Sequence, residues 1–244
     1  MATSVSSDTS SAARASNYRA DQGFFTGISV GLSLLIAVGF AQLVVRGIND
    51  PADFPLRVHV HAVLLLSWLG LFSYQNWLAH KGTLAIHRKL GKASVLLIAA
   101  IIVANTYVTV MTVVDGRLGP QFTPGYFFAL GASDTLFFAG LFGWALARKH
   151  DTQWHRRLMF GATLILSAAG FNRILSGVGP LAEPISIAAQ LAFLAAIAWN
   201  DRRVLGHVHK ATLLLVPIIV FERLLPGMLG GFPPLAAFAN SFVG

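Results

Sequence analysis

FFTGISVGLSLLIAVGFAQLVV, from Phe24 to Val45, is an apolar run of 22 residues. At 1.5 Å per residue a helix of that length spans about 33 Å, which matches the roughly 30 Å hydrocarbon core of a bilayer. A secretory leader has a shorter apolar core, about 7–15 residues, followed by a small-residue cleavage site. The run therefore reads as a retained membrane helix. Ahead of it, residues 1–22 are rich in Ser, Ala and Thr with no apolar period, and are expected to form a disordered cytoplasmic tail without a helix.

Six more apolar runs follow: Val58–Ala79, Ala93–Val114, Tyr126–Ala147, Leu158–Val178, Pro184–Trp199, which is the shortest, and Ala211–Leu229. Turn formers separate them, among them Asn49-Asp50-Pro51, Asp115-Gly116, Pro124-Gly125 and Gly179-Pro180. No gap is long enough for a soluble domain. The expected fold is all-α: a seven-helix transmembrane domain over 23–230, built from three inward-turning hairpins plus one N-terminal helix, and a short periplasmic-side C-terminal segment, 231–244.

Composition agrees. Of the 244 residues 55% are apolar and 11% charged, with mean hydropathy +0.65, whereas soluble domains carry about 25% charge. The absence of Cys excludes disulfides, iron–sulfur clusters and thiolate metal sites. A formal charge of +8 does not point to nucleic acid, because basic residues are ordinary at the cytoplasmic ends of membrane helices.

The distribution of Lys and Arg orients the chain. With the N-terminus inside, thirteen fall on the cytoplasmic side, and only Arg46, Arg57 and Arg117 on the other, while Arg173 and Arg223 lie within helices. Short loops are where the positive-inside rule applies best, so the N-terminus is expected in the cytoplasm of a bacterial inner membrane. Seven helices invite comparison with retinal proteins, but the last run contains no Lys for a Schiff base.

A repeat is visible. Trp77 precedes His87 by ten residues, Trp144 precedes His155 by eleven and Trp199 precedes His209 by ten. Counting back from each Trp, Ser67 and Asp134 lie ten residues earlier and Gln190 nine, about 15 Å into the bilayer. Counting forward from each His reaches Asn105, then Asn172 and Arg173, then Glu222 and Arg223. An ionised group at the bilayer centre costs about 2.5–3.5 kcal/mol on insertion scales. Asp134 and Glu222 against Arg173 and Arg223 sum to zero formal charge, with Glu222 placed to meet Arg173 or another helix's group. Either these groups line a cavity opening near His59 and His61, or they form a neutral network that only fixes packing.

The histidines carry a second pair of readings. His87, His155 and His209 are candidate ligands to a transition metal or haem b, imidazole being the commonest protein metal ligand; the alternative is that each His-Arg or His-Lys pair anchors its hairpin in the headgroup region beside a Trp. His59-x-His61 at the outer start of helix 2 is a further His pair, although residues two apart on a helix point about 200° apart.

The run from His59 to Gln75, then His87-Arg88-Lys89-Leu90-Gly91 and Asp151-Thr152-Gln153-Trp154-His155-Arg156-Arg157, resembles an uncharacterised family of bacterial multi-pass membrane proteins with paired His-Arg inner loops. More distantly it is similar to b-type cytochrome and ferric-reductase-like membrane folds. The resemblance covers about half of the chain, helices 2 to 5. It implies a redox protein with haem or metal at the inner face; in the haem folds, however, ligand histidines lie within the helices, and here helices 2 to 7 have none near mid-membrane.

Gly27 and Gly31 form a Gly-x-x-x-Gly in helix 1, with Gly39 two turns on, a spacing that predicts a homodimer through this helix. Three functions compete: a redox protein acting on a lipophilic or small molecule, a secondary or proton-coupled transporter using the intramembrane charges, and a non-catalytic scaffold.

Overall fold

The computed structural model describes residues 4–243, with side chains from Ala20 onward. It contains eight α-helices: α1 (Ser4–Val45), α2 (Leu56–Lys81), α3 (Leu84–Val114), α4 (Pro124–Ala147), α5 (Thr152–Ile174), α6 (Ala182–Leu205), α7 (Lys210–Gly230) and α8 (Pro233–Asn240). No strand occurs among the described residues. Six helical segments, all but α5 and α8, are long and apolar enough to cross a membrane, and the chain is a multi-pass helical membrane bundle.

The helices begin earlier than the hydropathy predicts. Helix α1 runs back to Ser4, through the segment expected to form no helix, and Asp21 and Gln22 are buried in the bundle. No Gly or Pro interrupts residues 4–22, so nothing local stops the helix. Helix α3 starts at Leu84 and α5 at Thr152, which puts His87-Arg88 and His155-Arg156-Arg157 inside helical turns rather than in loops. Asp151 sets the start of α5, its carboxylate accepting from the amides of Gln153 (3.1 Å) and Trp154 (3.2 Å). Hydropathy marks where lipid begins; a helix begins where its first amides are capped.

Two of the connections are tight because a glycine takes the left-handed conformation: Gly82, φ +76°, ends α2, and Gly206, φ +77°, ends α6. The ends of α2, α4 and α6 thus share one face with Ala20 of α1, the basic face. The starts of α2, α4 and α6 share the opposite face, where Asp115 at the end of α3 pairs with Arg57 of α2.

Helix α5 is the centre, packed against α1, α4, α6 and α7, and more than half of its residues are buried. Its three arginines and its polar side chains make it the least apolar of the long helices, which is tolerable because neighbouring helices, not lipid, surround it. Close approach depends on glycine. A Cβ on Gly39 of α1 would stand 2.4 Å from the carbonyl oxygen of Gly170 on α5, and one on Gly125 of α4 would stand 2.6 Å from that of Gly230 on α7. Gly39 is therefore used inside the chain, while Gly27 and Gly31 have open space.

Candidate functional site

Two polar clusters lie at opposite ends of the core around α5. Near the basic face, Arg156 pairs with Asp21 of α1, and Arg157 pairs with Asp201 of α6. Asn200 donates to the second oxygen of Asp21 at 2.7 Å; Thr212 of α7 donates to Asp201 at 2.6 Å, as does the His209 amide at 3.0 Å. The Arg156 guanidinium also lies 4.5 Å from the centre of the Phe25 ring. All four charged side chains are buried, and two Asp against two Arg leave no net charge. The sequence reading placed Arg156 and Arg157 in a cytoplasmic connection and passed over Asp21 and Asp201. The available signal was an Arg pair and two acids, each at the margin of an apolar run.

The second cluster lies toward the opposite face. Asp134 on α4 is 10 residues from the start of its helix, Gln190 on α6 is 8 from its start, and Glu222 on α7 is 8 from its end, so all three stand about 12–15 Å below that face. The Asp134 and Glu222 carboxyls are within hydrogen-bonding reach of each other. Asp134 Oδ1 and both Glu222 oxygens are shielded and have no protein donor if both groups are ionised. Only a proton on one carboxyl makes their contact attractive, since two carboxylates side by side and shielded from solvent repel. Pro226 also lacks the amide that would otherwise bond the Glu222 carbonyl four residues earlier.

Neither Arg173 nor Arg223 is ion-paired with Asp134 or Glu222, although the Arg223 charge lies near enough to act on both acids. Arg223 is held by Glu183 at the start of α6, through Nε at 2.9 Å and Nη2 at 2.5 Å, and Asn172 donates to the other Glu183 oxygen at 3.0 Å. Glu183 was missed because it borders an apolar run, where an acid reads as solvated. Arg173 sits in the last turn of α5, donates to the Ala169 carbonyl at 2.9 Å and covers the Phe40 ring at 4.1 Å, a cation at the negative end of a helix.

Other predicted members are dispersed. Ser67 bonds back to the Val63 carbonyl at 2.7 Å on an exposed face, a local bond with no part in the cluster. Asn105 joins α3 to α4 through Thr135 at 2.7 Å. Gln190, at the depth of the acid pair, is tied to α5 instead, donating to the Leu164 carbonyl at 2.8 Å and to Ser167 at 3.3 Å. His59 meets the Phe54 carbonyl at 3.2 Å, and His61 lies near Arg173.

The three repeat histidines do not converge. His87 and His155 form an edge-on pair with ring centres 6.4 Å apart, and each places Nδ1 on a carbonyl of the preceding helix, Gln75 at 3.3 Å and Ala145 at 2.8 Å. His209 stands against Trp154 instead, 5.6 Å between ring centres, and its Nδ1 accepts from the Ala211 amide at 3.1 Å to cap α7. Burial, with Arg157 beside it, holds the His209 imidazole below its ordinary value. Among the described residues no three His, Asp or Glu gather as a metal site would require. Two of the three hairpins thus share one histidine geometry, and that geometry is a helix-to-helix tie.

No family model, curated protein or solved structure matches the chain.

Proposed function

We propose that this protein is a proton-translocating membrane carrier of the bacterial inner membrane, with seven crossings, a cytoplasmic basic face, and the Asp134–Glu222 pair as its proton site. The observation that carries the reading is the pair itself: two carboxyls from different helices meet in the bundle, and the neighbouring Arg223 bonds to Glu183 rather than to either of them. An intramembrane acid of this kind is a functional site by default, because a packing role is met at lower cost by an apolar pair. The carrier reading is favoured over the redox reading because the carboxyls gather while the histidines do not. The length of α5, 23 residues or about 34 Å, supports a seventh crossing despite its polarity. The bias of thirteen basic residues against three supports the orientation.

The test is proton flux. Vesicles reconstituted with the protein and loaded with a pH-sensitive dye are given an external pH step, with potassium and valinomycin to clamp the potential. The internal pH is expected to follow faster than in empty vesicles, and Glu222→Gln, which keeps the shape and removes the exchangeable proton, is expected to return the rate to the empty-vesicle value. Equal rates for the two proteins would overturn the reading.

A further inference from the structure

One face of α6 reads, from the Glu183 end inward, Glu183, Ser186, Gln190, Leu194, Ile197 and Asp201, spacings of three or four that align them along the helix. Both ends of this stripe are polar and its middle is apolar. Leu194 and Ile197 are wholly or almost wholly buried, as are Leu215 and Ile219 on α7. Between Gln190 and Asn200 the helix rises about 15 Å, so a dry layer of that order separates the two charged clusters.

The polar end toward Glu183 is less completely paired than the Arg157–Asp201 pair near the basic face, although Asn200 Oδ1 in that cluster also meets no donor. Around Asp201 and Arg157 the carboxylate oxygens and guanidinium nitrogens bond to one another. Around α6 near Glu183, protein partners run out: Ser186 Oγ, Gln190 Oε1 and Asn172 Oδ1 are shielded and meet no protein partner, and Asp134 Oδ1 and both Glu222 oxygens find none beyond the contact between the two carboxyls. Ser186 and Gln190 are wholly buried. Leaving a buried polar group unbonded costs roughly 1–3 kcal/mol, and a series of them along one interface, from Asn172 and Ser186 near the Glu183 end to Gln190 deeper in, is satisfied together by water, which makes about three bonds per molecule. Glu183 opens this interface to the exterior: its side chain is 38% exposed while its partner Arg223 is 3% exposed.

We infer that the α5–α6–α7 interface is an aqueous half-path, entered past the Glu183–Arg223 pair, reaching Gln190 and the Asp134–Glu222 level, and closed toward the basic face by the Leu194 and Ile197 layer. Its cargo is the proton, which deepens the carrier reading and rests on it. Loading moves one proton from hydronium in the path to a carboxylate oxygen of the pair and leaves water behind; release reverses the step. Proton exchange with the basic face then requires the apolar layer to open, so the path alone does not leak.

The chain has no Cys, so single cysteines report on water directly, since the thiolate that reacts with methanethiosulfonates forms only where water reaches. Ser186→Cys is compared with Leu194→Cys and with Thr163→Cys, the last a near-isosteric change at a wholly buried position of α5. Labelling by methanethiosulfonate ethylammonium is followed by intact mass on protein that elutes as wild type does. Ser186→Cys is expected to react about tenfold faster or more than either control, as a hydrated thiol does against a dry one. Equal rates at all three positions would overturn the path. If Ser186→Cys reacts fast but Glu222→Gln leaves proton flux intact, the path stands and the carrier reading falls; if Ser186→Cys is inert while Glu222→Gln abolishes flux, the carrier stands and protons reach the pair by another route.

Discussion

Arg157 of α5 and Asp201 of α6 form a salt bridge in which both side chains are wholly inaccessible. Thr212 and the His209 amide complete the carboxylate, and the Gln153 carbonyl accepts from the guanidinium at 2.9 Å. A buried pair of this kind is worth little against an apolar pair of the same volume, but removing one partner strands a charge. Asp201→Ala is therefore expected to destabilise the protein by roughly 3–5 kcal/mol, while the double change Asp201→Leu with Arg157→Met recovers most of that loss. Thermal unfolding in mild detergent, followed by tryptophan fluorescence, checks both. A double variant as unstable as the sum of the two single ones would mean the groups act independently.

Close glycine contacts set how deeply α5 sits. Gly39→Ala places a methyl against the Gly170 backbone, which has no side chain to move aside, and is expected to cost about 1–3 kcal/mol, as overpacking does. Gly27→Ala meets open space within the protomer and is expected, in detergent-dispersed monomer, to leave stability unchanged or to raise it by up to about 1 kcal/mol through helix propensity. Melting temperatures of the two variants under one condition decide this. Equal effects would place the α1–α5 contact elsewhere.

His209 ties stability to pH. Its folded-state value is lowered by burial and by Arg157, so between that value and the unfolded value near 6.5 the unfolded chain binds more protons. The contribution is fully present above about pH 6.5 and is lost as pH falls below it. Protonation also removes the Nδ1 lone pair that accepts from the Ala211 amide. His209→Asn, which retains an N-cap acceptor, is expected to flatten the acid side of the stability profile without changing the neutral plateau. A slope that persists in the variant would assign it to another group.

We also propose that two copies pair through α1. Gly27 and Gly31 are exposed, beside exposed Val30 and Leu34, and small residues at this spacing allow backbones to approach closely. Gly31→Cys is expected to form a disulfide-linked dimer under mild oxidation in membranes, and Leu96→Cys, on an exposed face of α3, is not. Equal crosslinking at the two positions would mean random collision.

Legible from the order of residues alone is the class of the protein: a helical membrane bundle, the approximate place of each long helix, and the one-sided distribution of basic residues. These are sums over windows of residues, and the solvent preference of a window does not depend on which helix lies beside it. It also singled out Asp134, Glu222 and Arg223 as groups that need partners, because a charge in an apolar run is conspicuous by itself.

Which partner each group takes was decided only in three dimensions. Helix rotation, fixed by contacts such as Gly39 on Gly170 and Gly125 on Gly230, sends Glu222 to Asp134 and Arg223 to Glu183. The same packing turns Arg156 and Arg157 from expected headgroup anchors into the buried partners of Asp21 and Asp201. It also parts His209 from His87 and His155, although all three occupy equivalent places in the repeat. Pairing depends on the distance and direction between side chains from separate helices, and neither is contained in the order of residues along one of them.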